Sequence, residues 1–228
     1  MGFDIQAGLR NLDTYEDVWR FIREFAAAWG EPINESDDVS DAELDAVEDR
    51  FWVRLPEVVR QGYQLVGRHP DLTSRNGYLY ELDELEYQPS DGMLTFRCTH
   101  QATAFFTVRL RPWSDDPPVY IDPDFTEPYV DRFSISLVEM VLWESVAAGD
   151  RADCRGLTDY DGDLLAGLTP VSRLLPPMSW NEDLYASRDI LLRQSLDLLM
   201  ISARTDEALE EFRCAHPGEW AGRESVWH

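Results

Sequence analysis

Apolar residues recur at helical spacing in the first third of the chain. From Tyr15 to Ala28 they fall every three or four positions, which predicts a helix with one buried face. Ser40 followed by Glu43 is a capping-box pattern, so a second helix is expected to start directly after Ser40. Leu55 and Pro56 end the periodic pattern of that helix, because proline is tolerated only in the first turn of a helix. A third helix is expected to start at this proline and to end at Gly67.

The middle of the chain changes to short runs typical of strands. Turn-forming segments rich in Pro, Ser, Asp and Gly separate these runs, as in hairpins of an antiparallel sheet. The predicted strands are Gly77 to Leu82, Met93 to Cys98, Ala102 to Leu110 and Pro118 to Ile121.

The last third combines both patterns. Ser136 and Glu139 form a second capping-box pattern ahead of an apolar run to about Ala148, which predicts a buried helix from Leu137. Residues 189–193 and 196–203 suggest a hairpin, although their Leu and Met residues also permit a helix, and Thr205 caps a short acidic helix. The predicted class is α+β, an antiparallel sheet flanked by amino- and carboxy-terminal helices, with residues 1–30 as a helical extension and 31–228 as a single domain.

The charge of the chain restricts its partners. Asp and Glu number 44 against 20 basic residues, which gives a formal net charge of −24. Such a field repels nucleic acid and anionic membranes and steers a cationic protein toward the surface. We expect a basic protein partner, no nucleic acid, no membrane, and a monomer or weak dimer.

The sequence gives little support to catalysis or metal binding. Asp159, Asp161 and Asp163 alternate as in a calcium loop, but Leu164 and Pro170 occupy the positions that need Gly and Glu. Glu48 could serve as a general acid, although a helix-surface contact explains it more simply. The three cysteines are widely spaced and no apolar leader begins the chain, so a cytoplasmic location is expected. No cofactor, no metal and no enzymatic activity are expected.

One segment resembles a known family. Residues 40–72 read SDAELDAVEDRFWVRLPEVVRQGYQLVGRHPDL, which is similar to the start of SUKH-superfamily domains, relatives of the yeast glucan-synthesis regulator. The strand-like segments that follow and LDLLMISARTDEALEEF near the end extend the resemblance over roughly residues 40–214. Trp52 and the segment 150–180 fall outside the family pattern. The resemblance implies a SUKH-like fold and an immunity protein that binds and neutralises a toxin without chemistry.

Acidic residues next to aromatic side chains are the predicted partner-binding surface, because a basic partner could use both ion pairs and stacking there. The alternative hypothesis is a cytoplasmic regulatory or scaffold protein that binds an endogenous partner. The predicted binding residues are Asp83, Glu84, Glu86, Asp115, Asp116, Asp122, Asp124, Phe125, Glu127 and Tyr129.

Overall fold

The computed structural model describes most of the chain. Its described residues are 3–30, 32–34, 38–122, 127–147, 151–156, 164–165, 167–171, 182–195 and 197–221. Among these, no helix combines the length and the apolar composition that crossing a bilayer requires.

Side-chain caps fix where the amino-terminal helices begin. Thr14 and Asp17 cap each other reciprocally at the start of one helix, and Ser40 and Glu43 do so at the next, which confirms the prediction made for Ser40. Two short helices were not predicted, because neither is long enough to show a period. The five helices are α1 (Ile5–Leu9), α2 (Tyr15–Trp29), α3 (Asp41–Phe51), α4 (Glu57–Val66) and α5 (Pro70–Thr73).

The first sheet follows α5 along the chain. Its strands are β1 (Gly77–Leu79), β2 (Glu86–Gln88), β3 (Met93–Thr99), β4 (Phe105–Arg109) and β5 (Val119–Asp122). The strand order is β1-β3-β4-β5, with β2 also paired to β3, and every pair is antiparallel as predicted.

A register shift between Thr95 and Arg97 interrupts the β3–β4 pairing. A bulge of this kind re-aims the side chains of the strand that carries it. Both Phe96 and Arg97 consequently contact the next helix, Phe96 through the Phe133 ring at 5.1 Å and Arg97 through Glu139 at 2.7 Å.

That helix, α6 (Phe133–Ala147), is the centre of the molecule. It packs on α2, α4, α5 and the second sheet, and it is buried as predicted. It approaches α4 closely at Gly62, where a Cβ atom would lie 2.7 Å from Leu137 Cδ1. The capping box predicted at Ser136 is wrong, because the helix starts earlier and Ser136 Oγ donates instead to the Phe133 carbonyl at 2.7 Å.

A second sheet was not predicted; the sequence indicated only one. The remaining elements are β6 (Ala152–Gly156), β7 (Thr169–Pro170), β8 (Glu182–Ala186), β9 (Ile190–Ser195), β10 (Leu198–Ala203) and α7 (Asp206–Ala215). The strand order is β6-β10-β9-β8-β7, all antiparallel, and the β9–β10 pair confirms the predicted hairpin over the helical alternative. Thr205 caps α7 as predicted.

A single hydrophobic cluster includes residues of the amino-terminal helices, α6 and the second sheet. Ile22 and Phe25 of α2 belong to the same buried cluster as Leu137 of α6 and Leu191 of β9. The α+β class with antiparallel sheets is therefore confirmed, whereas the division at residue 30 stays a prediction.

Candidate partner-binding surfaces

Helix α3 separates two surface clefts. The first, which we call the tryptophan cleft, has a volume of about 840 Å³ and is formed by the end of α3, the turn after it and the segment after β4. Its lining residues are Glu48, Asp49, Trp52, Val53, Arg54, Leu110, Arg111 and Trp113.

Two tryptophans of this cleft are exposed. Trp52 is 91% exposed and Trp113 is 58% exposed, whereas the neighbouring lining residues Val53 and Leu110 are buried. Large exposed aromatic residues are uncommon outside interaction sites, and Trp is the residue most enriched among binding hot spots. The cleft therefore has the composition of a protein-binding surface.

Trp52 also adopts a backbone conformation that costs free energy. It ends α3 in the left-handed region, with φ 54° and ψ 41°. Glycine is the usual residue for such a helix end, and a bulky side chain there costs on the order of 1–3 kcal/mol. Neither burial nor backbone preference accounts for a tryptophan at this position.

Glu48 holds the turn that carries Trp52. One of its carboxylate oxygens accepts a hydrogen bond from the Leu55 amide at 2.9 Å, and the other accepts from Arg54 Nη1 at 2.5 Å. Arg60 Nη1 lies 3.3 Å from Glu48 Oε1 and also forms an ion pair with Asp45. With both oxygens engaged, Glu48 fixes the α3–α4 connection; it was expected on the helix surface but is only 5% exposed.

Three exposed carboxylates, which we call the acidic rim, are those of Glu16, Glu57 and Asp115. Glu57 begins α4 directly after the turn that carries Trp52, and Asp115 follows Trp113 by two residues. The pKa of Tyr15 is raised, first by the charge of Glu16 and then by burial, with further contributions from Glu57 and Asp115. The Gln61 side chain accepts a hydrogen bond from the Trp19 indole at 2.8 Å and donates one to Glu57 at 2.9 Å, so Glu57 lies beside the helix that carries Glu16.

The second cleft, which we call the hairpin cleft, lies on the other side of α3. It has a volume of about 830 Å³ and is bounded by α3, the end of α4 and the β1–β2 connection. Arg50 donates to the carbonyl oxygens of Leu82 at 2.6 Å and Asp83 at 3.0 Å, so the connection is held against the helix. The phenol of Tyr78 donates to Glu84 at 2.7 Å, and this bond raises the Tyr78 pKa to about 12.

The predicted binding residues do not form one surface. Asp83, Glu84 and Glu86 are exposed at the β1–β2 end of the first sheet, whereas Asp122 lies on β5 at its opposite edge. Asp115 and Glu127 are exposed, and Asp115 joins the acidic rim. Asp124 and Phe125 lie outside the described residues, as does the discounted calcium-like segment 159–163.

Two of the predicted residues serve the fold instead. Asp116 accepts hydrogen bonds from the Ser134 amide at 3.0 Å, the Ser134 hydroxyl at 2.5 Å and Arg132 Nε at 2.9 Å, so its carboxylate caps the start of α6. Tyr129 was expected to be exposed but is only 9% exposed, because its ring packs edge-on against Phe106 at 5.5 Å. The expected exposure of Tyr129 is therefore wrong, whereas the assignment of both residues to a partner-binding surface stays a prediction.

Buried charges form a further layer around α6. Arg97 and Glu139 make an ion pair at 2.7 Å with both side chains about 95% inaccessible. Glu144 accepts from the Arg75 amide at 2.7 Å and from the Asn76 amide, and burial raises its pKa despite the opposing charge of Arg97. The Arg193 guanidinium lies 3.4 Å from the centre of the Trp143 ring. This layer connects α6 to both sheets.

The described residues contain no group of three or more His, Cys, Asp or Glu side chains placed to hold a metal ion. No family model matches the chain, and neither does any of the curated proteins or solved structures with which it was compared. The SUKH resemblance therefore stays a prediction from the sequence.

The sequence did not lead to either exposed tryptophan as a candidate binding residue. Trp52 was noted only as a departure from the family pattern, and Trp113 lies in a segment interpreted as a hairpin loop. A large aromatic residue inside a run of turn-forming residues was the available indication, because loops seldom bury such side chains.

Proposed function

We propose that this chain is a non-enzymatic immunity protein with a SUKH-like domain, which binds a basic protein toxin and neutralises it by occlusion. The observation that carries the proposal is the division of the carboxylates into two classes. In the described part of the chain, buried carboxylates are bound to arginines or backbone amides, and many exposed ones form no ion pair.

The buried class is small and is compensated inside the fold. Glu139 pairs with Arg97, Asp153 pairs with Arg213, and Glu48 pairs with Arg54. These contacts neutralise charge that would otherwise be costly to bury.

The exposed class leaves the surplus of negative charge on the surface. Within the described ranges, no arginine forms an ion pair with the exposed Asp49, Glu57, Asp83, Glu86 or Asp115. A net charge of −24 displayed in this way accelerates association with a cationic protein, by up to about 10³-fold at low salt. Toxins that act on nucleic acid need a basic surface, which is the class of partner that such a field would attract.

A test combines survival with binding. The product of a toxin gene adjacent to the gene for this chain would be expressed with and without it, and the two purified proteins would be titrated at low and high salt. We expect survival only in the presence of this chain, and an association rate that falls about tenfold or more as salt rises. Equal killing with and without the chain, or no complex between the purified proteins, would overturn the proposal.

A second candidate function is a regulatory or scaffold protein that binds an endogenous partner. The observation that favours it is the presence of two separate clefts on the two sides of α3, which would allow two proteins to be held together. A growth defect on deleting the gene in a strain without any toxin gene would support this candidate, and a neutral deletion would count against it.

A further inference from the structure

The tryptophan cleft combines an apolar floor with little net charge of its own. Of its lining residues, Val53 and Leu110 are buried, and Trp52 and Trp113 are exposed. Among its charged lining residues, two carboxylates are balanced by two guanidinium groups, and the Glu48–Arg54 pair is already formed. Such a cleft favours an uncharged, apolar side chain of a partner.

The surroundings of the cleft are acidic. Asp49 is an exposed lining residue of the cleft, and the rim carboxylates Glu57 and Asp115 follow Trp52 and Trp113 by five and two residues along the chain. Among the described residues Asp49 and the rim carboxylates make no ion pair, so their charge is available to a ligand. Cations that flank an apolar anchor would complement this arrangement, and guanidinium groups would in addition stack on the exposed indole rings.

The geometry of the cleft is fixed before any ligand arrives. Glu48 joins the end of α3 to the Leu55 amide, and the left-handed residue Trp52 lies within this closed turn. A ligand would therefore lose little free energy in ordering the turn, and the strain at Trp52 would serve to present its ring.

We propose that the tryptophan cleft and the acidic rim together form the docking site for an extended, Arg- or Lys-rich protein segment that inserts one apolar side chain between Trp52 and Trp113. The inference rests on the proposed function, in that the segment would belong to the basic partner. It shares only Asp115 with the binding residues predicted from the sequence, which combined acidic residues with the aromatic residues Phe125 and Tyr129.

The experiment selects ligands without knowledge of the toxin. A phage-displayed library of short random peptides would be panned against the full chain, and the enriched peptides would be synthesised and titrated against it and its variants. We expect enrichment of peptides with an aromatic or aliphatic residue flanked by Arg or Lys. We also expect a loss of affinity of about tenfold or more in the W52A/W113A variant, as for hot-spot tryptophans.

Two control variants make the result specific. L198A removes an exposed apolar residue at the start of β10 and should leave binding unchanged. The rim variant E16Q/E57Q/D115N should weaken binding about threefold to tenfold and reduce its salt dependence. Circular dichroism and urea unfolding of each variant would verify that the fold is retained.

Several outcomes would overturn the inference. They are failure to enrich any peptide, enrichment of acidic peptides, and peptides that bind W52A/W113A as tightly as the parent chain. The proposed function fails separately: survival assays that show no protection would reject the immunity role and leave a peptide-binding cleft in place. Protection that W52A/W113A retains in full would reject the cleft and leave the immunity role.

Discussion

The carboxylates around α6 and those on either side of α3 have the same chemistry but opposite surroundings. Glu139 and Glu144 are buried and bound on the inside of the molecule, whereas Asp49 and Asp83 point from the helix and hairpin surfaces into water. A carboxylate without compensation in the interior would cost several kcal/mol, and one on the surface costs little. Position in the fold, and not abundance in the sequence, therefore separates residues that hold the structure from those available to a partner.

The same division applies to aromatic residues. Phe96 and Phe133 pack against each other in the core, while Trp52 and Trp113 are exposed beside one cleft. Changes on the α6 side should affect stability first, and changes on the α3 side should affect binding with little or opposite effect on stability.

The largest expected effect is on the buried ion pair. Replacing Arg97 by Ala leaves Glu139 charged in the interior without its partner, and we expect the free energy of unfolding to fall by about 3–5 kcal/mol in urea titrations. The matched double variant R97M/E139L removes both charges and should lose much less. If R97A and the double variant were equally stable, the pair would not have the importance assigned to it.

Glu144 gives the second prediction, through pH. Its pKa in the folded protein is raised above the ordinary value of 4.5 by burial, so the folded chain holds this proton more tightly than the unfolded chain does. The stabilisation from this group is therefore complete below pH 4.5 and is lost as pH rises through the folded-state pKa.

Unfolding in urea across this pH range, for the parent chain and the E144Q variant, would measure the effect. The stability of the parent relative to E144Q should decrease as pH rises above 4.5, because all other carboxylates titrate in both proteins. A difference that does not vary with pH would show that the Glu144 pKa is not raised.

The neighbours Asp115 and Asp116 test the comparison within a single loop. D116A removes the cap of α6 and the contact with Arg132, and we expect a loss of about 1–2 kcal/mol in unfolding free energy. D115A should change stability by less than about 0.5 kcal/mol and should instead weaken binding of a basic peptide. Equal effects of both changes on stability would contradict the assignment of only one of them to the fold.

The one effect that is opposite in sign is expected at Trp52. W52G removes an exposed ring and relieves a left-handed conformation, so the chain should become more stable by about 0.5–1 kcal/mol. The same variant should lose affinity for peptides that dock in the tryptophan cleft. Thermal unfolding and peptide titration on one preparation would measure both, and destabilisation by W52G would argue that the ring supports the fold.

Many of the helices and strands could be predicted from the sequence, but little of the tryptophan cleft could. Thr205 predicted its helix start and the β9–β10 run predicted its hairpin, because these elements depend on residues adjacent along the chain. Strand β6 was missed because its partner, β10, is distant along the chain. Strand β8 was missed although it pairs with the adjacent β9, because its own pattern is weak. The tryptophan cleft depends on two chain segments about sixty residues apart, which no local pattern relates.

The two capping-box patterns show when a local sequence pattern predicts the structure and when it does not. Ser40 with Glu43 and Ser136 with Glu139 have the same spacing, yet only the first pair caps a helix. Around Ser40 water surrounds the helix start, so the nearest hydrogen-bond partners are those within the pattern itself. Around Ser136 the helix is buried, and Glu139 is drawn to Arg97 because an unpaired guanidinium group in the interior would cost far more than a missing cap.

The sequence by itself thus determined the α+β class, most helix boundaries and the excess of negative charge. Each of these follows from composition or from contacts within a few residues. The tertiary structure alone decided that the strands form two sheets, that Asp116 and Tyr129 serve the fold, and that Trp52 and Trp113 share a cleft. The reason is that burial sets the free energy of a charge or an aromatic ring. Burial depends on the whole fold and not on the residues that are adjacent in the chain.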